Sequence, residues 1–134
     1  MIKDIHVPKV EDIALAVILQ PDENGVPSWY SFLINLKDEP IEGVLVRSSG
    51  YGQQNDESVK TSELRYFLDT MEPKSYRKIE LIPDSLLGLT NQYWVSFYQQ
   101  NVMYDKKYIF VPGSITEENM GNVPVINTRG VLII

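Results

Sequence analysis

Apolar positions along this chain come in short blocks separated by clusters of turn-forming residues. The blocks fall at 13–19, 29–36, 41–48, 76–82, 93–98, 104–111 and 130–134. Between them lie Pro21-Asp22-Glu23-Asn24-Gly25, Lys37-Asp38-Glu39-Pro40, Ser49-Gly50-Tyr51-Gly52, Glu72-Pro73, Pro83-Asp84 and Pro112-Gly113. Glycine and asparagine tolerate the left-handed backbone of tight turns, and proline presets the first turn angle. Short apolar blocks between such signals predict strands, and their recurrence predicts a sandwich or barrel. The run Ile13-Ala14-Leu15-Ala16-Val17-Ile18-Leu19 is apolar on both faces and is confined by Pro8 and Pro21. Its length favours a strand buried on both sides over a helix. Residues 93–98 and 104–111 read as a hairpin whose loop spans 99–103.

Two segments carry mixed signals. Over 61–71, Leu64, Phe67, Leu68 and Met71 follow helical spacing, with Thr61 or Ser62 as a cap. In the same segment Leu64, Tyr66 and Leu68 alternate with Arg65, Phe67 and Asp69, as in a strand. The neighbouring strands favour the second reading. Over 114–121, Ser114, Glu117 and Gly121 stand where the cap, capping-box partner and stop of a helical turn belong.

The order of these blocks resembles an immunoglobulin-like antiparallel β-sandwich. The segment Leu89-x-Asn91-x-Tyr93-x-Val95-x-Phe97 is similar to the sandwich strand that opens with a corner tyrosine. That resemblance implies a buried Tyr93 ring whose hydroxyl bonds to backbone. The expectation is one mainly-β domain over residues 1–134, with roughly seven to nine strands and one or two short helices. Such a fold hosts many functions and implies none.

A second resemblance covers most of the chain. Segments 44–52, 61–67, 91–97 and 105–110, with Thr128-Arg129-Gly130-Val131, resemble a family of small uncharacterised bacterial proteins. Some members of that family are labelled phenylalanyl-tRNA synthetase α subunit. The chain is too short for a synthetase catalytic domain and carries no ATP- or tRNA-site motif, so it gives that label no support. The family transfers no catalytic residues.

Composition narrows the chemistry. With 134 residues the chain is long enough to bury a core without a metal or disulfide. It has no cysteine, which excludes a disulfide framework, a thiolate zinc site, an iron–sulfur cluster and a cysteine nucleophile. Eighteen acids against twelve basic residues give a net charge of −6, and no basic stripe runs along the sequence. Nucleic acid is therefore not an expected partner. Glu11-Asp12 ahead of the apolar run at 13–19 argues against a secretory leader, and no run is long enough to span a membrane. A cytoplasmic location is expected.

Few residues offer reactive chemistry. His6 is the sole histidine, which makes a Ser-His-Asp triad or a histidine metal site a poor reading. The acidic pairs Asp22-Glu23, Asp38-Glu39, Asp56-Glu57 and Glu117-Glu118 sit in expected loops or a helix start, without calcium-loop spacing. Ser48-Ser49-Gly50-Tyr51-Gly52 lacks the lysine of a phosphate loop and reads as a turn leaving a strand. Asn91, Asp105, Lys106 and Lys107 are assigned to the surface. No catalytic residue, metal or cofactor is expected, and a non-enzymatic interaction domain ranks above an enzyme.

One feature offers recognition. If Tyr93, Val95 and Phe97 face the core together with Ile109, then Trp94, Tyr98, Tyr104 and Tyr108 form an outward aromatic face. That face would suit a protein partner, or a glycan or other flat polar ligand in the alternative reading. The apolar ending Val131-Leu132-Ile133-Ile134 adds the expectation of a homodimer, through this strand or through the Trp94/Tyr98 face.

Overall fold

In the computed structural model, which describes residues 8–134, the turn signals separate ten strands. They are β1 (Ile13–Pro21), β2 (Pro27–Asn35), β3 (Ile41–Gln54), β4 (Glu57–Lys60), β5 (Leu64–Met71), β6 (Ser75–Ile82), β7 (Thr90–Gln99), β8 (Val102–Phe110), β9 (Gly121–Val123) and β10 (Thr128–Ile133). Short 3-10 turns occur at Asp84–Leu86 and Glu117–Asn119. The first sheet has the order β6-β2-β1-β10-β9. The second has the order β4-β3-β7-β8, and β5 pairs with β3. All the pairings are antiparallel. The protein is thus mainly β, with two sheets arranged as a sandwich. Among the described residues no helix is long and apolar enough to cross a membrane.

The core between the sheets follows from side-chain alternation. Leu89, Asn91, Tyr93, Val95 and Phe97 are all buried, whereas Trp94 and Ser96 are half-buried and Tyr98 is exposed. Leu15, Val17 and Leu33 of the first sheet meet Val44, Val46, Val95 and Phe97 of the second. Each such fully buried side chain contributes about 1.5–3 kcal/mol. The Tyr108 hydroxyl crosses the core and donates to the Ile13 carbonyl at 2.6 Å. β1 is buried on both faces, as its sequence predicts. Its other face carries Ala14, Ala16 and Ile18, which join Phe32, Ile34 and Val123 in a second cluster, packed by Val125, Ile126 and Leu132.

β10 lies beside β1 only because residue 130 is glycine. A Cβ there would stand 2.8 Å from both the Val17 carbonyl oxygen and Ile18 Cγ1. The terminal apolar strand is paired with β1 through Val131, Leu132 and Ile133 and with β9 through Thr128, Arg129 and Gly130. β9 thus covers only the first half of β10, and Val131, Leu132 and Ile133 pair with β1 alone.

Several local expectations need correction. Ser49-Gly50-Tyr51-Gly52 is not a turn; it continues β3, pairing with β7 and β4. The chain reverses later, at Asn55-Asp56, where both residues have positive φ. The loop of the β7–β8 hairpin is two residues, Gln100-Asn101, again with positive φ at both. That is the geometry of a tight turn matched to strand twist. Residues 61–71 contain strand β5, as favoured. Ser114 does not cap the second 3-10 turn, which begins after Thr116 without a side-chain cap; the Ser114 hydroxyl donates to the Val111 carbonyl instead. The strand count exceeds the expectation because β4 and β9 are too short to show an alternation. His6 lies outside the described residues.

Candidate functional site

The two-residue turn fixes the register of β7 and β8, and with it the fate of the expected aromatic face. Tyr93 stands opposite Tyr108 and Phe97 opposite Tyr104. Directly paired residues share a face, so Tyr104 and Tyr108 turn inward. Tyr108 is fully buried, and Tyr104 stacks on Phe97 with ring centroids 5.2 Å apart. Ile109, expected in the core, is exposed. Only Trp94 and Tyr98 of the four expected face residues point outward. The error lies in the loop: five residues over 99–103 would close the hairpin on Tyr98 and Tyr104 and turn both outward, whereas the two-residue turn Gln100-Asn101 pairs Tyr104 with Phe97.

The outward face of the second sheet has a different composition from the one expected. Cross-strand pairing lines up Arg65, Arg47, Trp94 and Lys107 on β5, β3, β7 and β8. Arg47 sits 4.3 Å and Lys107 4.4 Å from the Trp94 ring centroid. Trp94 thus takes a cation from each neighbouring strand, in contacts worth about 0.5–1 kcal/mol each when exposed. Around this row stand Phe67, Tyr98, Met103 and Ile109, which are 68%, 46%, 50% and 42% exposed. Arg47 and Arg65 are direct cross-strand neighbours, a like-charge arrangement that costs stability. Glu63 relieves Arg65 in part, at 3.2 Å.

A second feature was absent from the sequence reading. In β6, Glu80 pairs with Ser31 and Lys78 with Phe32, leaving Ile79 as an extra residue. A bulge of this kind bends its strand and re-aims its side chains. Ile79 then packs on the core, and Glu80 reaches between the sheets. Glu80 Oε1 accepts hydrogen bonds from Ser48 Oγ at 3.0 Å and from the Tyr66 hydroxyl at 2.7 Å. Its Oε2 accepts from the Tyr93 hydroxyl at 2.8 Å. Three strands of the second sheet, β3, β5 and β7, therefore meet one carboxylate of the first.

Glu80 also borders a cavity of about 260 Å³ where edge strands β5 and β6 part. Its walls come from residues 48–50 of β3, the chain entering β5, the end of β6 with Pro83, and Leu86, Asn91 and Tyr93. Burial and the neighbouring Glu80 charge push the Tyr66 hydroxyl up to about 12. The same two causes raise Tyr93 well above its ordinary range, against a smaller opposing effect of the Ser31 hydroxyl. Both tyrosines are thus held as neutral donors to Glu80.

These contacts revise two expectations. Tyr93 has the buried ring expected of a corner tyrosine, but its hydroxyl bonds to a carboxylate rather than to backbone; the backbone-bonded tyrosine is Tyr108. Asn91 is not a surface residue. It is buried and donates to the Leu86 carbonyl at 2.8 Å and the Leu89 carbonyl at 3.3 Å. The available signal for Glu80 was one acid interrupting Ile79-Glu80-Leu81-Ile82. No family model, curated protein or solved structure matches this chain.

Proposed function

We propose that this protein is a non-enzymatic interaction domain that holds an acidic protein segment on the outer face of its second sheet. The observation that carries this reading is the row Arg65–Arg47–Trp94–Lys107 set among exposed Phe67, Tyr98, Met103 and Ile109. The three cations are neighbours in one row, whereas the acids of this face, Glu42 beside Tyr98 and Asp105 beside Ser96, stand outside that row. Charge complementarity selects acidic partners and speeds encounter, while tyrosine, methionine, arginine and tryptophan are the residue types enriched at interfaces. We read the wiring as immunoglobulin-like, with β1, β2 and β6 in one sheet and β3, β7 and β8 in the other. That architecture offers a sheet face as a binding platform.

Two alternatives are weaker on the same face. A glycan stacking on Trp94 would compete with Arg47 and Lys107 for the ring. A homodimer formed by this face about a two-fold axis would bring two copies of the same cation row into one interface. Photocrosslinking from position 67 in cells, with position 23 as a control, tests the reading. An acidic protein should be trapped from position 67 alone. Joint replacement Arg47→Glu and Lys107→Glu should abolish the adduct while leaving the fold intact. An adduct of two copies of this chain, no adduct, or one indifferent to charge reversal would refute the proposal.

A further inference from the structure

The Glu80 cavity gathers hydrogen-bond acceptors around one carboxylate. The protons of Ser48 and Tyr93 are committed to the carboxylate. Asn91 spends its amide hydrogens on two backbone carbonyls, leaving its side-chain carbonyl oxygen as an acceptor. Thr61 donates to the Ser62 carbonyl while accepting from the Gly50 amide. A carboxylate offers about four acceptor positions, and Glu80 uses three of them. Among the described residues the side-chain ion pairs are Arg65–Glu63 and Lys74–Asp38, so no cation there neutralises Glu80. Glu80 is half-buried, so its charge is partly withdrawn from water with no cation paired to it among the described residues. The remaining wall combines Ser49, Gly50 and Ser62 with the apolar Leu64, Leu81, Pro83 and Leu86.

We infer that this cavity binds a small primary ammonium ligand with an apolar body, its cationic head on Glu80 and its body against Leu64, Leu81 and Leu86. An ammonium brings three donors to a carboxylate with an acceptor position left over and to the Asn91 side-chain carbonyl oxygen. Its charge compensates the carboxylate that the neutral hydroxyls only solvate. Size sets the rest: a cavity of 150 Å³ holds benzene, so the space here suits a ligand of roughly ten non-hydrogen atoms by that scale. The site lies between the sheets and is independent of the outer face of the second sheet.

Methyl-labelled full-length protein, titrated at neutral pH and followed by NMR, tests this with three probes. Benzylamine should shift the Leu64, Leu81 and Leu86 methyl signals saturably, and bind at least about tenfold more tightly than benzyl alcohol, the size of effect a charge-assisted hydrogen bond supplies. Phenylacetate should leave those signals unmoved. Glu80→Gln, whose amide oxygen can still accept from the hydroxyls, should bring benzylamine down to the level of the alcohol. The wild-type comparison stands even if that variant fails to fold. The inference is overturned if benzylamine leaves these methyls unmoved, if it binds no better than benzyl alcohol, or if its advantage survives in Glu80→Gln.

Discussion

The two sheets turn very different outer faces away from the shared core. The centre of the first sheet's outer face carries Ala14, Ala16, Ile18, Phe32 and Ile34, all buried under or among Val123, Val125, Ile126 and Leu132, with Tyr76 and Leu81 open only at its β6 edge. The outer face of the second carries Phe67, Tyr98, Met103 and Ile109 in the open, among Arg47, Arg65 and Lys107. Both contain aromatic and aliphatic residues, so hydrophobicity alone does not separate them. What separates them is side-chain size and charge. Small alanines let β9, β10 and the chain joining them approach the first sheet, while long cations keep the second hydrated. Exposed apolar groups gathered with charges mark an interaction surface better than exposed apolar groups scattered singly.

Substitutions at matched positions break or sharpen this contrast. Phe32→Ala, on the covered face, should cost about 3–5 kcal/mol, as for other buried aromatic truncations. Gly130→Ala should cost roughly 1–3 kcal/mol through overpacking, because the added methyl group meets the Val17 carbonyl and Ile18. Both are read by chemical denaturation, and a wild-type midpoint for either would show that the cover is loose.

The interior between the faces should answer to alkali instead. Tyr66 is held up to about 12 against an ordinary 10.0, first by burial and then by Glu80. The folded state keeps this proton more tightly than the unfolded chain does. Its contribution is therefore intact below the ordinary value and is lost as pH rises through the folded one. Tyr66→Phe should flatten the fall in stability across that window, measured from denaturation midpoints at stepped pH; an unchanged profile would remove the coupling to Glu80. The smallest effect belongs to the open face. Phe67→Ala should shift stability by no more than about 0.5 kcal/mol. A loss comparable to that of Phe32→Ala would show that the second face is covered after all.

Much of the fold was legible because alternation is a local property. The series Leu89, Asn91, Tyr93, Val95 and Phe97 names its own inward face, and the apolar run at 13–19 names a strand buried on both sides. Turns were legible where proline or glycine supplied the backbone, as at Pro21-Asp22-Glu23-Asn24-Gly25, where the Asp22 side chain accepts from the amides of Asn24 and Val26. They were hidden where ordinary residues adopt positive φ, as at Gln100-Asn101. That single turn decided whether Tyr104 and Tyr108 faced solvent or core. Trp94 and Tyr98 were placed correctly, but the cations beside them come from other strands and depend on register. Glu80 was out of reach for the same reason, since its partners lie far from it along the chain and a bulge sets its direction.

The pairing of β1 with β10 has a consequence in time. Leu15 lies opposite Ile133, so this seam joins two segments far apart along the chain and closes only after everything between them has been made. Contacts between such distant residues form slowly, because the entropy of closing the loop is spent before the contact returns anything. Until then the apolar outer surface of β1 and β2 has no lid, though its own hairpin can already be in place. The surface best protected in the finished molecule is thus the one left bare longest on the way to it. Any kinetic hazard in this chain, whether aggregation or capture by a chaperone, is concentrated at Ala14, Ala16, Phe32 and Ile34.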